Sequence, residues 1–180
     1  MQTIEKGKDM LKLIKRCEEF VEGYREYCQE LHDNKVTFFV PTNPNQIDEE
    51  CYHRTKQWYD KKECGEIKDQ PTGFHFWAID ENKFIGELQI RTVFTDKVMN
   101  DIGSIGYAVR ISEQGRGYGT EIFKQGLGLA KNLGLKKVLV NINEENVVSI
   151  HICEKLGGDF MDKIHSYNEF EGEHVMCRYW

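Results

Sequence analysis

The stretch Arg110-Ile111-Ser112-Glu113-Gln114-Gly115-Arg116-Gly117-Tyr118-Gly119-Thr120 decides how this chain is read. Before it stands a strand expected from Gly103 to Ile111, ending in the apolar run Ile105-Gly106-Tyr107-Ala108-Val109. After it a helix is expected from about Gly117 to Asn132, with Ile122, Phe123, Leu127, Ala130 and Leu133 on one stripe and Gly134 closing the end. A glycine-rich turn feeding a helix N-terminus makes an anion site. The first backbone N–H groups have no helical partner, the helix dipole favours negative charge there, and glycines let a phosphate approach the main chain.

The string contains neither Gly-x4-Gly-Lys-Ser/Thr nor Gly-x-Gly-x-x-Gly, so it matches neither the P-loop nor the dinucleotide fingerprint. What it contains is Gln114-x-x-Gly117-x-Gly119. A second apolar segment follows, Lys137-Val138-Leu139-Val140-Asn141-Ile142-Asn143. Then Asn146-Val147-Val148-Ser149 opens a helix ending in Glu154-Lys155-Leu156-Gly157-Gly158.

That order of features resembles the acetyl-CoA half of the GNAT superfamily of acyl-CoA-dependent N-acetyltransferases, over about a third of the chain. The resemblance implies an α/β fold in which a mixed, mostly antiparallel central sheet is flanked by helices around a βαβ acetyl-CoA-binding core. It implies acetyl-CoA as co-substrate and direct transfer to an amine in a ternary complex. The pyrophosphate would lie on Gln114, Gly115, Arg116, Gly117, Tyr118, Gly119 and Thr120. Val109 and Ile111 would pair their main chain with pantetheine, and backbone N–H groups near Tyr107 to Val109 would polarise the thioester carbonyl. Asn146 and Ser149 start the next helix, where they would touch CoA or simply cap the helix.

The charge pattern supports the same placement. Residues 110–137 carry six basic and two acidic side chains, within a chain of net charge −6. A local basic patch focuses an anionic ligand, while the overall charge argues against nucleic acid as the main partner.

The catalytic groups are less legible. Many family members carry a tyrosine three residues before the leucine of the Leu-Gly motif, and its hydroxyl protonates the departing thiolate. That position here is Cys153, either a weak acid or a small packed thiol. A carboxylate on the strand opening the motif often serves as base, but Gly103 and Ser104 stand there. Glu87 and Asp101 are the substitute candidates. These departures leave a second function open, a non-catalytic acyl-CoA sensor or assembly module of the same fold.

Length and composition set the frame. The 180 residues suit one domain, 1–180. No apolar run approaches a membrane span, no secretory leader is evident at the start, and no Cys-x2-Cys pair suggests zinc. The expected setting is cytoplasmic, with reduced cysteines, no metal, no membrane partner, and a small-molecule or peptide amine as substrate. A homodimer is left open.

For the remainder, residues 5–33 read as helix, from Met10, Ile14, Cys17, Val21, Tyr24, Cys28 and Leu31, with a break allowed at Gly23. The first strand that the family would place before it is expected to be short or missing. Pro41 to Asn45 break any element, and Asp48 caps a helix from about Glu49 to Lys62. Gly73–Asp80 and Lys83–Arg91 form a hairpin through Glu81-Asn82. Strands at about Phe160–Tyr167 and His174–Trp180, joined by an acidic turn, close the chain.

Overall fold

The computed structural model describes residues 11–36, 48–168 and 172–180. Met10, the Pro41–Asn45 segment and most of the acidic turn after Asn168 lie outside them.

Strand β1 (Lys12–Ile14) pairs antiparallel with β2 (Gly73–Asp80). The hairpin to β3 (Lys83–Arg91) turns at Glu81-Asn82, both at positive φ (44° and 66°), as a two-residue turn between twisted strands requires. β3 then pairs antiparallel with β4 (Ile105–Val109), completing the order β1-β2-β3-β4. A second sheet has the order β5-β7-β6, built from β5 (Val140–Asn143), β6 (Phe160–Asn168) and β7 (Gly172–Tyr179). The helices are α1 (Val21–Asp33), α2 (Glu49–Glu63), α3 (Tyr118–Asn132) and α4 (Val147–Lys155). A π-helical turn, Val98–Ile102, precedes β4. None of the described helices is long and apolar enough to cross a membrane.

Strands β2 and β3 are covered on both faces, which is why their sequences alternate only in part. Phe76, Ala78, Leu88 and Ile90 pack with Ile122, Phe123 and Ala130 of α3. Trp77, Ile79 and Phe84 pack with Tyr24, Tyr27, Cys28 and Leu31 of α1. The register slips where Ala78 faces Gly86 but Ile79 faces Phe84, so Ile85 is the extra residue of a bulge. The slip puts Phe84 and Glu87 on one face, under α1.

The single helix expected over residues 5–33 is corrected. Lys12–Ile14 is strand, Glu18–Phe20 is a short 3-10 turn, and α1 starts only at Val21. The spacing of Ile14, Cys17 and Val21 imitates a helical stripe, but hydrogen bonding to β2 wins over that local pattern. Gly23 does not break α1. A Cβ there would stand 2.7 Å from Phe84 Cβ, so its absence lets the helix lie close on β3.

Among the described residues the two strands flanking the glycine turn, β4 and β5, form no ladder with one another, and every ladder present is antiparallel. β4 and β5 start side by side at one junction, where Ser104 N–H donates to Leu139 O (2.8 Å) and Leu139 N–H donates to Ser104 Oγ (2.7 Å). From there they belong to different sheets, and the gap between them is the cleft of the molecule.

Candidate active site

The cleft holds a cavity of about 560 Å³. Ile105, Gly106 and Tyr107 line its β4 side and Val140 to Asn143 its β5 side. Phe123 of α3 and Cys153 of α4 lie between, Asn146 and Ser149 stand at the α4 end, and Arg91, Asp101 and Ile102 contribute at another end. β4 is the edge strand of its sheet, so its outer row of main-chain groups faces the cleft.

The glycine turn sits at the far end of β4. Gly117 is the N-cap of α3 in the left-handed region (φ 83°), with no side chain capping the helix. Two of the other helices, α2 and α4, differ, whereas α1, which starts after Phe20, also has no side-chain cap. Asp48 accepts from Cys51 N–H at the start of α2, and Asn146 accepts from Ser149 N–H at the start of α4. Gly115 is also left-handed (φ 74°), and a Cβ on it would meet nothing within 4 Å. The turn therefore offers open approach to unpaired N–H groups, the donor set a pyrophosphate needs. Gly119 has a different use, since a Cβ there would lie 3.3 Å from both Ile152 and Tyr107. It lets α3 pack against α4 and β4.

Side chains of the turn serve the scaffold. Tyr118 donates to Asp80 Oδ2 (2.6 Å), fixing α3 to the β2–β3 turn. That bond to a carboxylate pushes the phenol up to about 12. Gln114 donates to Val109 O (3.2 Å), so this carbonyl, expected to meet pantetheine, is already engaged. Arg116 is exposed and pairs with buried Glu113, which also receives Lys83. Ile111 packs toward the α1 cluster. Thr120 lies in the first turn of α3. Arg110 is corrected as a member of the basic patch. It is buried and clamped by Glu30 (2.9 Å) and Glu26 (3.2 Å) of α1, so its charge is spent on holding that helix. Lys124, Lys131, Lys136 and Lys137 remain exposed.

The three candidate catalytic residues are not brought together. Glu87 is 1% exposed and does not line the cavity. Its Oε1 accepts from Tyr27 OH (3.1 Å) and its Oε2 pairs with His75 Nε2 (2.6 Å). Arg16 Nε donates to His75 Nδ1 (3.0 Å), so the His75 proton sits on Nε2 and is donated to Glu87. Burial depresses His75 to about 4, keeping it neutral. Glu87 is thus a sealed, satisfied carboxylate, unsuited to collecting a proton from a substrate.

Asp101 does line the cavity. Its main-chain carbonyl accepts from Asn141 Nδ2 (3.0 Å) and its Oδ1 accepts from Ser166 Oγ (3.2 Å), which fixes the carboxylate while leaving lone pairs free. Cys153 lines the cavity too, but its Sγ is turned to Gly158, where a Cβ would stand 2.5 Å away. Burial pushes the thiol up to about 11.

Sequence reasoning passed over three side chains of this cavity. Tyr107 donates to Ser149 Oγ (3.3 Å), and burial raises its phenol above the usual value. Strand alternation from Ile105 was the available signal for it. Arg91 is buried, which lowers its guanidinium to about 10, and its Nε has no partner among the described residues; the same is true of Asn141 Oδ1. One lining residue thus carries an unused donor and another an unused acceptor.

The model of the acetyltransferase (GNAT) domain matches residues 20–159. The chain belongs to the GNAT acetyltransferase family. Among solved structures, this GNAT protein is similar to the microcin C7 self-immunity acetyltransferase MccE in complex with acetyl-CoA and AMP. The identity is 12%, covering 96% of this chain and 92% of that one, with a TM-score of 0.71. It is similar to RimJ of Mycobacterium smegmatis in complex with CoA-disulfide at 15% identity, 93% and 80% coverage and TM-score 0.72. It is also similar to a spermidine N-acetyltransferase chimera of SpeG from Vibrio cholerae and hSSAT, at 17% identity, 94% and 93% coverage and TM-score 0.61. At these identities the likeness is one of fold. No curated protein sequence matches the chain.

Proposed function

We propose that this GNAT protein transfers an acetyl group from acetyl-CoA to an amine, directly and within a ternary complex. One observation carries the reading: the uncapped N-terminus of α3 stands at the end of β4, beside a cleft that opens between two sheets. The residues present fit CoA, because Gly115 leaves the main chain accessible, Gly117 starts α3 in the left-handed region, and the first N–H groups of α3 have no side-chain cap.

Acetyl-CoA, when bound, supplies the thioester carbon that the amine attacks. Residues 114–120 hold its pyrophosphate through main-chain N–H groups, and the outer edge of β4 orients the pantetheine arm. N–H groups between Tyr107 and Val109 polarise the thioester carbonyl. Asp101 receives the amine proton, directly or through a water. The Tyr107 hydroxyl, oriented by Ser149, returns a proton to the thiolate; its raised pKa keeps it protonated at neutral pH. This assigns the acid to Tyr107 in preference to Cys153, whose sulfur faces Gly158.

Names among the similar structures range from a ribosomal-protein α-N-acetyltransferase to a spermidine acetyltransferase, so the fold leaves the acceptor open between peptide and small-molecule amines. A second reading, a CoA sensor without turnover, is favoured by the sealing of Glu87 and by Cys153 at the usual tyrosine position. Thiol release from acetyl-CoA with a panel of amines separates the two. The enzyme reading predicts release with at least one class of amine. CoA binding with no release from any amine would favour the sensor.

A further inference from the structure

A second cavity, of about 720 Å³, lies between the C-terminal parts of α3 and α4 and the segment leading into β5. Three residues, Phe123, Val140 and Cys153, line both this cavity and the cleft, so the two spaces share one wall. Beyond that wall the second cavity is bordered by the half-buried apolar residues Leu127, Leu135, Val138 and Leu156, and by the exposed Lys131, Lys136, Lys137 and Asp159. Cys153 is the smallest side chain of the wall. It stands where many family members carry tyrosine, and a thiol fills far less space than a phenol ring.

We propose that the donor site accepts acyl-CoA thioesters longer than acetyl, the alkyl chain passing the Phe123–Val140–Cys153 wall and lying along the leucine and valine side chains of the cavity between α3 and α4. The inference rests on the placement of CoA in the cleft proposed above. The chemistry balances as for acetyl: the C–N bond of an amide forms, the C–S bond breaks, the amine proton goes to Asp101, and CoA leaves as the thiol. Only the carried chain changes. Each methylene fully removed from water strengthens binding about fourfold (about 0.8 kcal/mol).

The test is calorimetric titration of the full chain with CoA, acetyl-CoA, butanoyl-CoA, hexanoyl-CoA and octanoyl-CoA, which needs no knowledge of the acceptor. Hexanoyl-CoA is expected to bind at least about tenfold more tightly than acetyl-CoA, below the full four-methylene gain because the cavity is open on one side. Leu127→Trp fills the cavity without touching the CoA cleft and is expected to erase that gain while CoA itself binds as before. Leu135→Phe does the same from outside α3, should the helix not tolerate Trp. Acyl-CoAs binding no more tightly than acetyl-CoA, or a gain that survives both variants, would overturn the inference alone. Failure of CoA itself to bind would instead overturn the placement on which it rests.

Discussion

In the proposed mechanism Asp101 and Tyr107 divide the proton work within one cavity; Asp101 keeps free lone pairs beside its partner, whereas Tyr107 must release its bond to Ser149 to give up its proton. Ser166 fixes the Asp101 carboxylate through one oxygen, and Ser149 receives the Tyr107 hydroxyl. Asp101→Asn keeps the shape and removes the proton acceptor, so kcat is expected to fall about a hundredfold with CoA affinity unchanged. Tyr107→Phe is expected to lower kcat by about tenfold, and by more than Cys153→Ala does. Steady-state kinetics with an accepted amine reads all three. A larger loss with Cys153→Ala than with Tyr107→Phe would return the acid role to the thiol. In the sequence, nothing ranks Glu87 above or below Asp101 as the base. What separates them is the Ile85 bulge, which turns Glu87 under α1.

At the scale of elements, the β2–β3 hairpin is tied to α1 and to the segment after β1 by a buried polar chain, Arg16–His75–Glu87–Tyr27. Tyr59 of α2 stacks on His75, with ring centroids 4.3 Å apart. This chain gives the fold a pH dependence with a definite sign. The folded pKa of His75, about 4, lies below its ordinary value of 6.5, so folding favours the neutral form. Its contribution is fully present above pH 6.5 and is lost as pH falls toward 4, by up to about 3 kcal/mol. Urea unfolding at pH 7 and pH 4.5 is expected to show a smaller pH-dependent loss in His75→Gln than in the unaltered protein. Equal losses would contradict the assignment. Local signals read several elements well: the Glu81-Asn82 turn, the Asp48 and Asn146 caps, and α3 from its glycine start. Strand β1 and the Arg110 clamp escaped because partners more than fifty residues away create them. Ile79 makes a strand of Lys12, and Glu26 with Glu30 takes the Arg110 charge out of the basic patch.

At the scale of the molecule, two antiparallel sheets meet at Ser104 and Leu139 and part on either side of a cleft, and the uncapped N-terminus of α3 lies beside it, Gly119 packing against Tyr107 of the lining. The central claim is that this helix start binds the pyrophosphate of CoA. Gly117 sits at φ 83°, where a β-branched residue is strongly disfavoured, so Gly117→Val disturbs the turn at the point of phosphate contact while leaving the distant core in place. The most direct measurement is calorimetric titration of CoA into the protein and into Gly117→Val, with circular dichroism confirming that both are folded. The account predicts an affinity on the order of micromolar for the unaltered protein, weakened by at least about tenfold in the variant. No binding at millimolar CoA, or equal binding by both proteins, would contradict it.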